Sequence, residues 1–163
     1  MPSSRLHPAL QDFSRDHKRF LSEARNIRWY YEDSEHAKAL DETVASLLTF
    51  WEEQGELHVR EEEEILFPAI ANRDAAVDSD LDRLKDDHRL LRESIPALND
   101  MPLNDPEAVR ETLIAISQRM SEHVRYEEEF VLPRVQEITT ESELMSLGMQ
   151  SMAFRNQHRK KKP

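Results

Sequence analysis

Apolar positions along the chain fall on a helical period almost from the start. Phe13, His17, Phe20, Leu21, Ala24 and Ile27 recur at three- and four-residue intervals. Pro8 suits an early helical position, so the spacing predicts a first helix over 3–32. A short linker, "DSEHAK", leads to a second helix from about Ala37 to about Ala71, which Gly55 and Pro68 loosen. "NRDAAVDSD" reads as a turn and "LDRLKDDHRLLRESIPAL" as the third helix. After the loop "NDMPLNDP", Asp105–Pro106 opens a fourth helix that ends near Glu137. Thr140 and Glu143 form a capping box for a short fifth helix ending near Phe154. The expected fold is all-α: an up-down-up-down four-helix bundle with a short extra C-terminal helix. The bundle domain is placed at 1–155 and a basic, frayed tail at 156–163, with Arg155 at the edge of that basic stretch.

One stretch is written twice. "HVREEEEILFPAI" begins at His58 and "HVRYEEEFVLPRV" begins at His123, with seven of thirteen positions identical. Each is preceded by a helix carrying an Asp-His pair: His17 lies 41 residues before His58, and His88 lies 35 residues before His123. The chain is thus two helical hairpins of one pattern. Residues four apart share a helix face, so His58 projects with Glu62 and His123 with Glu127. Ile65 and Phe130 are expected to continue those faces inward. Glu63, Glu64, Glu128 and Glu129 are read as solvated faces.

A buried carboxylate without a partner costs several kcal/mol, and two facing each other cost more. A cation removes the conflict. Four imidazoles and two carboxylates converging on one point predict a binuclear metal site at His17, His58, Glu62, His88, His123 and Glu127. Nitrogen and oxygen donors without sulfur favour iron, with zinc and manganese compatible. The His-x-x-x-Glu spacing differs from the Glu-x-x-His of ferritin-like bundles. The competing bland reading makes the six residues satisfied core positions; it must fit all of them in one geometry.

Composition narrows the function classes. The 163 residues carry a net charge of −11, which argues against nucleic acid and anionic membrane surfaces as partners but not against a cation. With no cysteine there are no disulfides, thiolate ligands or iron–sulfur cluster. Two glycines against 34% charged residues disfavour a turn-rich β fold. No apolar run is long enough for a membrane span. No apolar signal core is present, so a cytoplasmic location is expected, as is a monomer or weak homodimer.

The pattern His17…His58-x-x-x-Glu62…His88…His123-x-x-x-Glu127, with "SRDHKRFL", "HVREEEEILFP" and "HVRYEEEFVLP", resembles the hemerythrin-like HHE cation-binding domain. The likeness covers roughly residues 8 to 137. It implies a non-heme di-iron centre in which His17 and His58 ligate one iron, His88 and His123 the other, and Glu62 and Glu127 bridge them. Oxygen-carrying hemerythrins have a His-x-x-x-His pair on the third helix; here Leu84 and Arg92 flank His88 instead. The cysteine-bearing segment of the iron–sulfur repair members is missing, as is the degradation module of the eukaryotic iron-sensing members.

Further donors are Glu61 and Tyr126, at matching places in the repeat and more consistent with outer hydrogen bonding, and His36 in the first linker. His7 and His158 are expected to face solvent, and Trp29, Tyr30, Tyr31, Phe50 and Trp51 to serve packing. Three functions remain open: binding dioxygen or a related small ligand, enzymatic handling of peroxide or nitric oxide, and iron buffering or iron-responsive interaction.

Overall fold

The computed structural model describes residues 5–33, 35, 37–102 and 104–158. Among them there are helices and no strands. Helix α1 is Pro8–Glu32, capped by His7, whose Nδ1 accepts the Ala9 N–H at 3.1 Å. Helix α2 is a continuous rod over 40–70, α3 is Ala75–Ala97, α4 a rod over 106–138, and α5 is Glu141–His158. Helix α1 packs against α2, α4 and α5, and α3 against α4. His36 lies outside the described residues.

Both rods change their winding where the repeat begins its acidic run. The Phe67 N–H bonds the Glu62 carbonyl and the Leu132 N–H bonds the Glu127 carbonyl, five residues back. Each is a π turn, over Glu62–Leu66 and Glu127–Val131. Pro68 and Pro133 follow at the same place in each repeat. A proline lacks the N–H that would close the ordinary turn and crowds the carbonyl four residues back, so a widened turn before it relieves both problems. The extra residue rotates everything downstream. Leu66 and Val131 are therefore fully buried, Ile65 is half-buried, and Phe130 is 56% exposed. The expectation that the inward faces continue fails for Phe130 for this reason, while Ile65 stays partly buried against the core. A third π turn, Trp51–Gly55, lays the Trp51 ring against the Gly55 backbone; a Cβ there would come within 2.6 Å of that ring.

The apolar core has two halves. One is built around Phe20, Ile27, Phe50, Val59, Leu91 and Met120. The other is built around Phe13, Leu66, Phe67, Leu84, Leu132 and Leu147. Along each of α1 to α4, the histidine sits between residues of one half and residues of the other. The predicted ligands thus form a polar layer with apolar packing above and below.

Several helix boundaries differ from the sequence reading: α1 starts at Pro8, with residues 5–7 outside it, and α2 starts at Leu40 rather than near Ala37. The stretch 72–80 is not all turn, because the Asp74 carboxylate accepts the Ala76 and Val77 N–H groups and starts α3 at Ala75. Helix α5 continues to His158, so Arg155 is an ordered helical residue rather than part of a frayed tail. The capping box forms as expected: Glu143 N–H donates to Thr140 Oγ1 at 3.2 Å, and Thr140 N–H donates to Glu143 Oε2 at 2.8 Å. Arg73 and the Thr140 N–H hold the Glu143 carboxyl down at about 2. Thr140→Ala should destabilise the protein by about 1 kcal/mol, lowering the melting temperature by roughly 2–4 °C; an unchanged melt would show that tertiary docking alone holds α5. That docking is close. A Cβ on Gly148 would stand 3.2 Å from the Ala9 Cβ, so a glycine there lets α5 lie against α1.

Candidate metal centre

All six predicted residues meet in one buried layer, each at most 3% exposed. The four histidines turn Nε2 inward. Glu62 Oε1 lies 2.7 Å from His58 Nε2, while its Oε2 lies 2.9 Å from His88 Nε2. One carboxylate therefore faces both hairpins, one oxygen to each. Glu127 Oε2 lies 3.2 Å from His17 Nε2 and 3.3 Å from His123 Nε2, again reaching across. Donor atoms of His17, His58, Glu62 and Glu127 all fall within 4.8 Å of one another, as do those of Glu62, His88 and His123. None of these inward atoms, the four Nε2 and the carboxylate oxygens of Glu62 and Glu127, has a properly directed hydrogen bond. Buried polar atoms are rarely left so, and eight in one layer fit a mixed nitrogen–oxygen ligand set.

Each imidazole is aimed by a carboxylate on its outer nitrogen. His58 Nδ1 is 3.1 Å from Asp16, and His123 Nδ1 is 3.1 Å from Asp87. His17 Nδ1 is 2.6 Å from Glu128, and His88 Nδ1 is 2.8 Å from Glu63. Such partners fix the ring and make Nε2 the better donor. Glu63 and Glu128 are therefore not solvated-face residues; only Glu64 and Glu129 are exposed. The signal was present in sequence, since an aspartate precedes both His17 and His88, and a second glutamate follows both Glu62 and Glu127.

The electrostatics run opposite to carboxylate repulsion. Burial disfavours every charged form here, but mutual attraction outweighs it. Despite burial, Glu62 and Asp16 hold the His58 imidazole up at about 9. Asp87 and Glu127 do the same for His123, also to about 9. Glu127 and Glu128 raise His17 well above the ordinary value, and Glu62 and Glu63 raise His88. Against its own burial, His58 and the other rings hold Glu62 well below the usual carboxylate range. The protonated form of each imidazole is thus favoured in the layer as long as no cation is bound.

The further donors point elsewhere. Glu61 is buried, but its carboxylate takes hydrogen bonds from Ser151 and Arg155 on α5. The Tyr126 hydroxyl donates to Asp80. Neither joins the ligand layer, so both serve outer hydrogen bonding. Leu84 is fully buried in apolar packing, and Arg92 pairs with Glu56 and Glu63, so neither supplies a fifth nitrogen. His7 caps α1 and reaches Glu141, and the His158 ring packs on Phe154, so neither simply faces solvent. Phe50 and Trp51 are core residues as expected.

A scan against protein families matches residues 9–135 to the hemerythrin HHE cation-binding domain. Searches of curated proteins and of solved structures return no match. No helix among the described residues is long and apolar enough to cross a membrane. The family match takes in the greater part of the chain and every member of the buried His/Glu layer. The chain thus belongs to the hemerythrin HHE cation-binding domain family, and its histidine–glutamate layer is the place where a metal cation fits.

Proposed function

We propose that the protein holds two iron ions and uses them to bind a small ligand such as dioxygen. In this reading His17 and His58 hold one ion, His88 and His123 hold the other, and Glu62 and Glu127 bridge them. The observation that carries it is the pair of Glu62 oxygens, each set against a histidine of a different hairpin. The up-down-up-down course belongs to the same proposal. Its support is that the His layer separates the same two apolar halves on every long helix.

Bound ferrous iron with a vacant position would supply reversible binding of dioxygen or electron transfer to it. The chain's own part is separable from that chemistry. Asp16, Asp87, Glu63 and Glu128 orient the four rings, and the apolar halves keep bulk water from the layer. The nitrogen donors must lose their protons before they ligate, and Nε2 is the atom that gives the proton up.

Reconstitution with ferrous iron under anaerobic conditions, followed by metal analysis, should return two ions per chain. Substantially fewer would end the binuclear reading. An optical spectrum of the reduced protein before and after air then separates the functions. A reversible band supports ligand binding. Bleaching with turnover of peroxide or nitric oxide supports an enzyme. No change, with reversible metal loss, supports an iron buffer.

A further inference from the structure

The two hairpins aim their second-helix histidines by the same device but anchor it differently. In the second hairpin, Asp87 holds His123, and Asp87 is itself held by Arg119 Nη1 at 2.9 Å. Arg119 stands four residues before His123 on the same helix. In the first hairpin, Asp16 holds His58, but the residue four before His58 is Gln54. No arginine from α2 serves Asp16. The guanidinium comes from α5 instead: Arg155 Nη2 lies 2.8 Å from Asp16 Oδ2. The same side chain pairs with the buried Glu61, at 2.9 Å through Nε and 2.8 Å through Nη2. Glu61 occupies the repeat position where the second hairpin has Tyr126.

A cavity of about 570 Å³ opens at this junction, lined by Asp16, Gln54, Leu57, His58, Phe154 and Arg155. Gln54 is exposed, so the space an in-helix arginine would cross lies open beside His58. One half of the centre is braced within the bundle. The other half depends on a helix that joins the rod over 106–138 only through a two-residue break at Thr139 and Thr140.

We propose that Arg155 is a positioning residue for His58, and that α5 is a clamp on the His17–His58 half of the metal centre. Its docking sets how firmly that half holds its ion and how open the cavity beside His58 stands. This rests on the two-ion reading given above. A guanidinium that bridges two carboxylates, one of them buried, is a directed contact rather than a surface pair. Loss of an outer partner of a metal-binding histidine typically costs 10–100-fold in metal affinity.

The test uses the full chain loaded anaerobically with ferrous iron and challenged with an excess of a coloured ferrous chelator. Wild-type protein should release both ions slowly. Arg155→Met, which acts on His58 through Asp16, should release one of its two ions several-fold and up to about tenfold faster, leaving the other at the wild-type rate. Arg155→Lys, which keeps a cation near Asp16, should fall between. The double variant Gln54→Arg/Arg155→Met should slow the fast ion again, because it moves the brace onto α2 as in the other hairpin. Release of both ions at wild-type rates from Arg155→Met would overturn the inference. Equal acceleration of both ions, with no recovery in the double variant, would also overturn it and mark α5 as a general stabiliser. Wild-type protein that takes up fewer than two ions would bring down the two-ion reading itself, and this inference with it.

Discussion

Metal-free protein should melt roughly 10 °C below the loaded form near neutral pH, and the gap should widen as the pH rises toward about 9. A metal that binds only the folded state, at a thousandfold excess over its Kd, adds about 4 kcal/mol. For a chain of this size each kcal/mol moves the melting temperature by roughly 2–4 °C. The pH dependence follows from the histidines. In the folded, metal-free protein His58 and His123 titrate at about 9, against an ordinary value of 6.5. Their protonated pairing with Glu62, Asp87, Asp16 and Glu127 stabilises the fold fully below the ordinary value, and that contribution is lost as the pH climbs through about 9. Glu62 works in the other direction. Held low, it contributes above the ordinary carboxylate range and loses that contribution only in acid. Metal competes with the same imidazole protons, so its affinity grows over the window in which the metal-free fold weakens. Melting curves with and without chelator from pH 6 upward read this directly. A gap that stays constant or narrows as the pH rises would contradict the proton–metal exchange.

Glu62→Ala should cost more metal than Glu127→Ala, although the two residues are equivalent in the repeat. The expected loss of affinity exceeds about 100-fold, beyond the 10–100-fold typical of an outer partner. Iron content should fall below one ion per chain, whereas Glu127→Ala should keep at least one. The reason is geometric. Glu62 belongs to both clusters of donors, while Glu127 belongs to the cluster with His17, His58 and Glu62. Without Glu127, the set Glu62, His88 and His123 is intact. Without Glu62, each cluster loses a carboxylate, and His58 Nε2 and His88 Nε2 lose their nearest carboxylate oxygen. Removing one member of a buried ion pair is also strongly destabilising, about 3–5 kcal/mol, so the metal-free Glu62→Ala protein should melt well below its parent. Equal metal loss in the two variants would show that the layer is functionally symmetric.

Much of this was written in local spacing. Helical periodicity placed the long helices, the residue pair Thr140 and Glu143 announced the cap of α5, and the duplicated motif named the six residues of the buried layer. Each of these signals needs only residues three or four apart, and the i, i+4 rule holds wherever the helix is regular. It fails where the helix is not. Past Glu62 and Glu127 the π turns insert a residue, so Phe130 comes out exposed and Val131 goes in. Pro68 and Pro133 hinted at a disturbance, but a proline alone does not say whether a helix will end, kink or widen.

What only the tertiary structure decided is which charged residue meets which. Asp16, Glu63, Asp87 and Glu128 recur with the repeat and Glu61 does not, but no spacing along the chain says which of them meets which histidine or arginine. Their roles come from partners on other helices: Glu128 is 111 residues from His17, and Arg155 is 139 residues from Asp16. Periodicity assigns a residue to a face of its own helix. It cannot rank the faces of a neighbouring helix, because the rotation of one rod against another is set by core packing along their whole length. The repeat therefore named by itself the six residues that meet in the buried layer. The aim of each ring, and the reach of Arg155 from α5 to Asp16 and Glu61, followed from how the packed helices turned.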